Sequence, residues 1–204
     1  MSDDTQNKLL AFVGGMTRLV SRSDIAEGAL LDGADELMRT LVSSDDWLPD
    51  SMAVPHPQYY QQHLLYGDPL NRFSVISFVW GPGQGTPVHD HQVWGVIGML
   101  RGAEFNLHYE APAVGVEGGA LACSGREQRL DPGRTTRVSP SIGDIHRVRN
   151  AYDDRVSISI HVYGGNIGRV RRHVFDPTTG KAKEFISGYS NAVVPNLWPP
   201  AGIR

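Results

Sequence analysis

The apolar positions change period once along the chain, near residue 70. Before that point they recur at three- and four-residue steps, the spacing that gathers side chains on one face of a helix. Leu9, Phe12, Val13, Met16, Leu19 and Val20 form one such stripe, and Leu30, Ala34, Leu37, Met38 and Leu41 form a second. Asp24 and Glu27 stand three residues apart at the head of the second stripe, which predicts an N-cap with its N3 partner. A third, shorter helix is predicted from about Pro57 to Tyr66, a stretch rich in Tyr, Gln and Leu and bounded by Pro57 and Gly67.

Beyond residue 70, β-branched and aromatic residues come in short runs broken by Gly and Pro: Phe73 to Trp80, Gln92 to Leu100, Glu104 to Tyr109, Thr135 to Val138 and Val156 to Tyr163. Runs of this length at short spacing predict an antiparallel sandwich or barrel. The expected architecture is therefore mainly β, in one domain over residues 1–204. It has a helical N-terminal part (1–66), a β-barrel (67–180) and a C-terminal extension (181–204). The last stretch, Val193 to Arg204, holds Pro195, Pro199 and Pro200 and is expected to lie extended on the surface.

Composition narrows the function classes. A chain of 204 residues buries about 70% of its unfolded surface without needing a staple. Lys plus Arg is 19 against 22 for Asp plus Glu, a formal charge of −3, which argues against non-specific nucleic-acid binding. Cys123 is the one cysteine, so no internal disulfide can form, and the count fits a reducing compartment. The polar, acidic start Met1 to Asn7 lacks the basic and apolar regions of a signal peptide, and no apolar run approaches the length of a membrane span. The expectation is a cytoplasmic protein with neither membrane nor nucleic acid as partner.

The histidines carry the chemistry. His89 and His91 form an H-x-H pair, and residues two apart on a strand face the same way, so both imidazoles can reach one metal ion. Taken alone, H-x-H also describes two surface histidines in a loop. The surroundings decide: Gly83, His89, His91, Gly95 and Gly102 spell G-x5-H-x-H-x3-G-x6-G, and Gly143, His146 and Asn150 spell G-x2-H-x3-N, with Pro140 just before. These resemble the two motifs of the cupin barrels, with Gly95 where the usual Glu stands. His89, His91 and His146 are thus the candidate ligands of a metal. Three neutral imidazoles leave a divalent ion its full charge and open positions, which favours anionic ligands such as a thiolate. Spacing leaves both iron and zinc open.

A second constellation lies on the strand Arg155 to Tyr163. Val156, Ile158, Ile160 and Val162 fall on one face and Ser157, Ser159, His161 and Tyr163 on the other. Alternation alone would send the polar face to solvent. The order Ser159-x-His161-x-Tyr163, thirteen residues after His146, weighs against that reading.

With these residues the chain is similar to the cysteine dioxygenase family of cupins, over roughly residues 56 to 180. The resemblance rests on His89 and His91, on His146 in His-Arg-Val-x-Asn, on Ser159, His161 and Tyr163, and on the Trp80-Gly81-x-Gly83 lead-in. It implies a jelly-roll barrel that holds Fe(2+) through three histidines. It also implies oxidation of a small thiol to its sulfinic acid with both oxygens of O2. Ser159, His161 and Tyr163 would then be catalytic, with Tyr163 also touching substrate.

Two departures bear on the subtype. Mammalian members carry a cysteine cross-linked to the active-site tyrosine, and the matching position here is Gly95. They hold the substrate carboxylate with the arginine of Tyr-x-Arg, and here Tyr60-Gln61-Gln62 puts Gln62 in that place. Both features resemble the bacterial enzymes that prefer 3-mercaptopropionate. Gln62 and Tyr163 are therefore expected to bind substrate, and Arg169, after the Gly164-Gly165 pair, is a candidate to fold inward and supply the missing charge, against a solvated place in a basic run with Arg171 and Arg172. His63 either lines the pocket or faces outward. Tyr60 and Trp94 are expected as wall residues, and His56, His108 and His173 as structural or exposed. The alternatives are a cysteine dioxygenase, a mercaptosuccinate dioxygenase and, from another class, a non-catalytic ligand-binding cupin.

Overall fold

The computed structural model describes residues 5–110 and 119–197. Two helices lead, α1 (Thr5–Val20) and α2 (Glu27–Leu41). Their apolar stripes are buried as the periodicity predicts. Leu9, Phe12, Val13 and Met16 share one core with Leu31, Ala34, Met38 and Leu41 and with Val75, Val79, Val96, Leu100, Ile158, Ile160 and Val162 of a β-sheet. The contact between α2 and that sheet is close at Gly98, where a Cβ would come within 2.6 Å of Met38 Cγ.

The expected cap does not form. The N-cap of α2 is Ala26, with no side-chain hydrogen bond, and Glu27 instead accepts hydrogen bonds from Ser139 Oγ, at 2.5 Å, and from Ser141 Oγ. A tertiary contact has taken the carboxylate that local capping would have used.

Eleven strands follow among the described residues: β1 (Gln61–Gly67), β2 (Ser74–Trp80), β3 (Val88–His89), β4 (Gly95–Arg101), β5 (Glu104–Tyr109), β6 (Gln128–Leu130), β7 (Thr135–Val138), β8 (Ile145–Asn150), β9 (Ser157–Tyr163), β10 (Arg172–Phe175) and β11 (Ala182–Phe185). They make two antiparallel sheets, ordered β1-β2-β9-β4-β7 and β11-β10-β3-β8-β5-β6. This is the mainly β, cupin-type barrel with N-terminal helices that the sequence implied. Gly83 and Gly102, at the ends of the first motif, have φ of 67° and 73°, backbone angles that glycine adopts without a steric penalty.

Strands β2 and β9 are buried along their whole length. They lie at the middle of the first sheet, between the helices and the barrel interior, so neither face of these two strands meets water. Ile76, Phe78, Trp80, Ile97, Met99 and Tyr163 point inward and pack with Leu130, Val138 and Val148. The polar face of β9 therefore turns into the barrel and not to solvent.

The helix predicted for Pro57 to Tyr66 is not formed. Residues 61–67 are β1, paired antiparallel with β2 so that Gln62 sits opposite Phe78 and His63 opposite Ser77, with an irregularity between Leu64 and Tyr66. Pairing against a strong neighbour outweighs the helix preference of Gln and Leu, and the irregularity hides the period of two. Strand structure accordingly runs from 61 to 185. Of the extended C-terminal stretch, residues 198–204 lie outside the described residues.

Candidate metal centre and active site

Two strands and the loop after β3 bring the histidines together. His89 closes β3 and is the Cα partner of His146 on β8, and His91 follows two residues later. The ring centroids form a nearly equilateral triangle, with sides of 4.9, 4.8 and 4.9 Å. One ring nitrogen from each lies within 4.8 Å of the others.

Hydrogen bonds orient two of the rings. His89 Nδ1 donates to the Pro87 carbonyl (3.0 Å), and His91 Nδ1 donates to Asp144 Oδ1 (3.0 Å), so each keeps its lone pair on Nε2. Asp144 also accepts the backbone N–H of His91 (3.0 Å) and of Gln92 (2.9 Å). Burial opposes the charge of Asp144, yet these bonds hold its carboxyl below the usual range.

All three histidines are buried. Burial pushes the pKa of His89 down to about 3, helped by neighbouring His91, and depresses that of His146 in the same way. His91 Nε2 and His146 Nδ1 are buried without a protein partner. A buried imidazole nitrogen without a partner is costly unless something binds it, and the convergence of one ring nitrogen from each histidine gives a cation its place. The donor set therefore fits a divalent metal with three nitrogen ligands.

A line of hydrogen bonds runs along β9 beside this centre. Trp80 Nε1 donates to Ser159 Oγ (3.0 Å), Ser159 Oγ and His161 Nε2 are 2.8 Å apart, and His161 Nδ1 and the Tyr163 hydroxyl are 2.8 Å apart. Burial keeps His161 neutral and raises the Tyr163 phenol far above its ordinary pKa, so Tyr163 holds its proton. The Tyr163 ring stacks on His91, with centroids 5.2 Å apart.

The centre opens into a cavity of about 220 Å³. Gln62, His89, His146, His161, Tyr163 and Arg172 line it, with Tyr60 and an apolar wall that includes Phe78, Trp80, Val148, Val174 and Phe185. No Asp or Glu is among the lining residues. Arg172 is 4% exposed. Its Nη2 donates to Ser187 Oγ (2.7 Å), its guanidinium lies 4.7 Å from the Phe185 ring centre, and its Nε has no partner. Burial lowers its pKa, though an arginine stays charged in proteins.

Arg169, the candidate inward cation, is exposed and does not line the cavity. Arg172, three residues on, does. It leads β10, where alternation turns Arg172 and Val174 inward and His173 outward. His173 binds Asp90 through Nδ1 (2.8 Å) and its backbone N–H (2.7 Å). His63 is buried on the opposite face of β1 from Gln62, and His108 stands behind His146, with ring centroids 5.5 Å apart. His56 stacks on Tyr59 at 3.7 Å, and Trp94 packs against the helix-side core and does not line the cavity. Asp144 and Arg172 were not singled out from the sequence. Asp144 sits inside the second motif, two residues before His146, and Arg172 was hidden in a run of arginines.

The fold and the triad of buried imidazoles define a cupin with a three-histidine metal centre. Comparison with known proteins makes this more specific. Residues 26–176 match the family model described as cysteine dioxygenase type I. Cysteine dioxygenase type 1 of Danio rerio is 23% identical over 176 residues, covering 85% of this chain and 80% of that protein. The Homo sapiens protein of the same name is 27% identical over 131 residues, covering 64% of this chain and 62% of its own length. A solved Klebsiella pneumoniae protein with a double-stranded β-helix domain is 20% identical, with a TM-score of 0.42, over 58% of this chain and 89% of that one. The chain belongs to the cysteine dioxygenase type I family, which places it among the non-heme iron thiol dioxygenases, a class of oxidoreductase. Among the described residues, no helix is long and apolar enough to cross a membrane.

Proposed function

We propose that this chain holds Fe(2+) at His89, His91 and His146 and oxidises a small thiol carboxylate, 3-mercaptopropionate, to its sulfinic acid with O2. The observation that carries the substrate class is Arg172. It is a buried guanidinium in the cavity of the metal centre, it forms no ion pair among the described residues, and its Nε is unpartnered. A buried cation without a counter-charge is unfavourable, and a carboxylate entering the cavity supplies that charge bidentately.

The choice between acids follows from what is missing. Among the described residues no Asp or Glu lines the cavity, so the α-ammonium of cysteine would be desolvated without a partner. 3-Mercaptopropionate has the same thiol-to-carboxylate spacing and no ammonium. Iron held by His89, His91 and His146 would keep its full charge, favour a thiolate and supply the redox chemistry with O2. The protein binds, orients and shields. The apolar wall excludes water. Tyr163, held protonated and aimed by His161 and Ser159, offers a hydrogen bond to the substrate or to the oxygen being transferred.

The test is a panel of 3-mercaptopropionate, L-cysteine, cysteamine and mercaptosuccinate on iron-loaded protein, following oxygen uptake and sulfinate. The expected kcat/KM for 3-mercaptopropionate exceeds that for cysteine by at least about tenfold, ~1.4 kcal/mol of transition-state discrimination. Equal or better turnover of cysteine would overturn the substrate assignment. Absence of oxygen uptake with every thiol would leave a ligand-binding cupin.

A further inference from the structure

Two cavity residues, Gln62 and Arg172, meet at one hydroxyl outside the metal centre. Ser187 Oγ accepts hydrogen bonds from Gln62 Nε2 (3.1 Å) and Arg172 Nη2 (2.7 Å), and donates to the Gly188 carbonyl (3.3 Å). A serine hydroxyl has one hydrogen and two lone pairs, so this one is saturated and has nothing left for a ligand.

The amide of Gln62 is committed as well. Its Nε2 donates to Ser187 Oγ and to the Gly188 carbonyl (2.9 Å), which uses both of its hydrogens. What remains is Oε1, an acceptor that repels a carboxylate. Arg172 is the opposite case. One hydrogen of Nη2 goes to Ser187, while Nε is buried and unpartnered, so the fork keeps donors for an incoming anion.

We propose that Ser187 positions Arg172 for the substrate carboxylate, and that Gln62 acts through Ser187 and Gly188 without contacting the carboxylate itself. The proposal rests on the thiol carboxylate reading of the cavity. It makes Ser187, which follows His89 by 98 positions, His91 by 96 and Gln62 by 125, a specificity-determining residue brought to the cavity by the barrel's closure, with no local sequence signal.

The segment that carries Ser187 is fixed firmly enough for such a role. After β11 the chain turns at Gly188, whose φ of +66° favours glycine, and lies along the free edge of β1. Gln62 N donates to Ser190 Oγ (2.9 Å) and Ser190 N to the Gln62 carbonyl (2.8 Å). Leu64 N donates to Asn191 Oδ1 (2.7 Å), and Asn191 Nδ2 donates to the Leu64 carbonyl (2.9 Å). On the other side Gly188 N donates to the Gly168 carbonyl (3.0 Å). An otherwise open sheet edge is thereby capped by the segment that fixes the guanidinium.

The test uses the full chain with Ser187→Ala, Ser187→Thr, Gln62→Met and the double variant Ser187→Ala with Gln62→Met. Propionate, a carboxylate without a thiol, is titrated calorimetrically, and the KM values of 3-mercaptopropionate and cysteamine are measured in parallel. Ser187→Ala should weaken propionate binding about tenfold, in line with loss of one hydrogen bond to a charged group. It should raise the KM ratio of 3-mercaptopropionate to cysteamine by a similar factor, and Ser187→Thr should restore both. The double variant should lose no more than Ser187→Ala, because both substitutions cut the same connection. Unchanged propionate affinity in Ser187→Ala, additive losses, or a wild-type chain that binds no propionate would each overturn the proposal. A chain that binds propionate but oxidises no thiol would instead overturn the functional reading and leave the Ser187 role standing.

Discussion

Gly95 of β4 and Tyr163 of β9 are Cα partners across the first sheet, and the tyrosine ring occupies the space that a side chain at 95 would need. A Cβ there would lie 2.5 Å from Tyr163 Cδ1 and 2.7 Å from Cε1. The family resemblance implies that this is where mammalian members carry a cysteine cross-linked to the tyrosine. Here the ring is free to stack on His91, and Cys123, the one cysteine, is exposed and paired by an isolated bridge to Tyr109. The intact mass should therefore equal the sequence mass, with no loss of two hydrogens, and Cys123→Ala should turn over like wild type. Gly95→Ala should cost about 1–3 kcal/mol by overpacking and slow turnover by moving Tyr163. Denaturant unfolding and steady-state rates check both.

Asp144 should govern how tightly the metal is held. It accepts from His91 Nδ1 and from two backbone N–H groups, so it fixes both the tautomer and the direction of one ligand. Removing a carboxylate in this role typically costs about 10–100-fold in metal affinity. Asp144→Ala should fold but release iron to a chelator at correspondingly lower concentration. Retention equal to wild type would show that His91 is oriented by packing alone.

What the sequence displayed follows from range. The three ligand histidines and the Ser159, His161, Tyr163 order were legible because each motif is local, and a period of two puts its members on one face. The helices were legible because their stripes are long and regular. Strand β1 was not, since Gln62, Leu64 and Leu65 suit a helix and only pairing with β2 makes them extended. Arg172 could not be told from Arg169 or Arg171, because which arginine turns inward depends on the register of β10 against β3. Ser187 and Glu104 carry no local signal at all: only the closed barrel connects Ser187 to the cavity residues Gln62 and Arg172 and buries Glu104.

Tyr163→Phe should retain iron, because Tyr163 is not among the converging nitrogens, and should slow turnover or uncouple oxygen use from sulfinate formation. Loss of one positioned donor costs up to about 10²–10³ in rate where it stabilises developing charge. Ser159→Ala should give a smaller effect of the same kind, since it acts through His161. Comparing oxygen consumed with sulfinate formed distinguishes these outcomes from simple misfolding. Wild-type rates and coupling in Tyr163→Phe would reduce Tyr163 to a packing residue.

Glu104 should give the protein a stability that falls as pH rises. Its side chain is fully buried on β5; Oε1 accepts from Asn106 Nδ2 (3.1 Å) and Oε2 has no partner. Burial outweighs the opposing pull of Asn106 and of the nearby Ser159 hydroxyl and pushes the carboxyl up to about 7, from an ordinary 4.5. The folded chain then keeps a proton between these values that the unfolded chain has released. The stabilising contribution is fully present below about pH 4.5 and is lost as pH rises through about 7. The difference corresponds to about 3 kcal/mol in all. Glu104→Gln is neutral throughout, so it should match wild type near about pH 4.5 and exceed it by up to about 3 kcal/mol near about pH 8. The buried histidines contribute equally to both proteins and cancel in the comparison. Urea unfolding of the two proteins across this range measures the difference directly, and a difference that stays flat with pH would show that Glu104 is ionised in the folded chain, with its charge stabilised by groups other than Asn106.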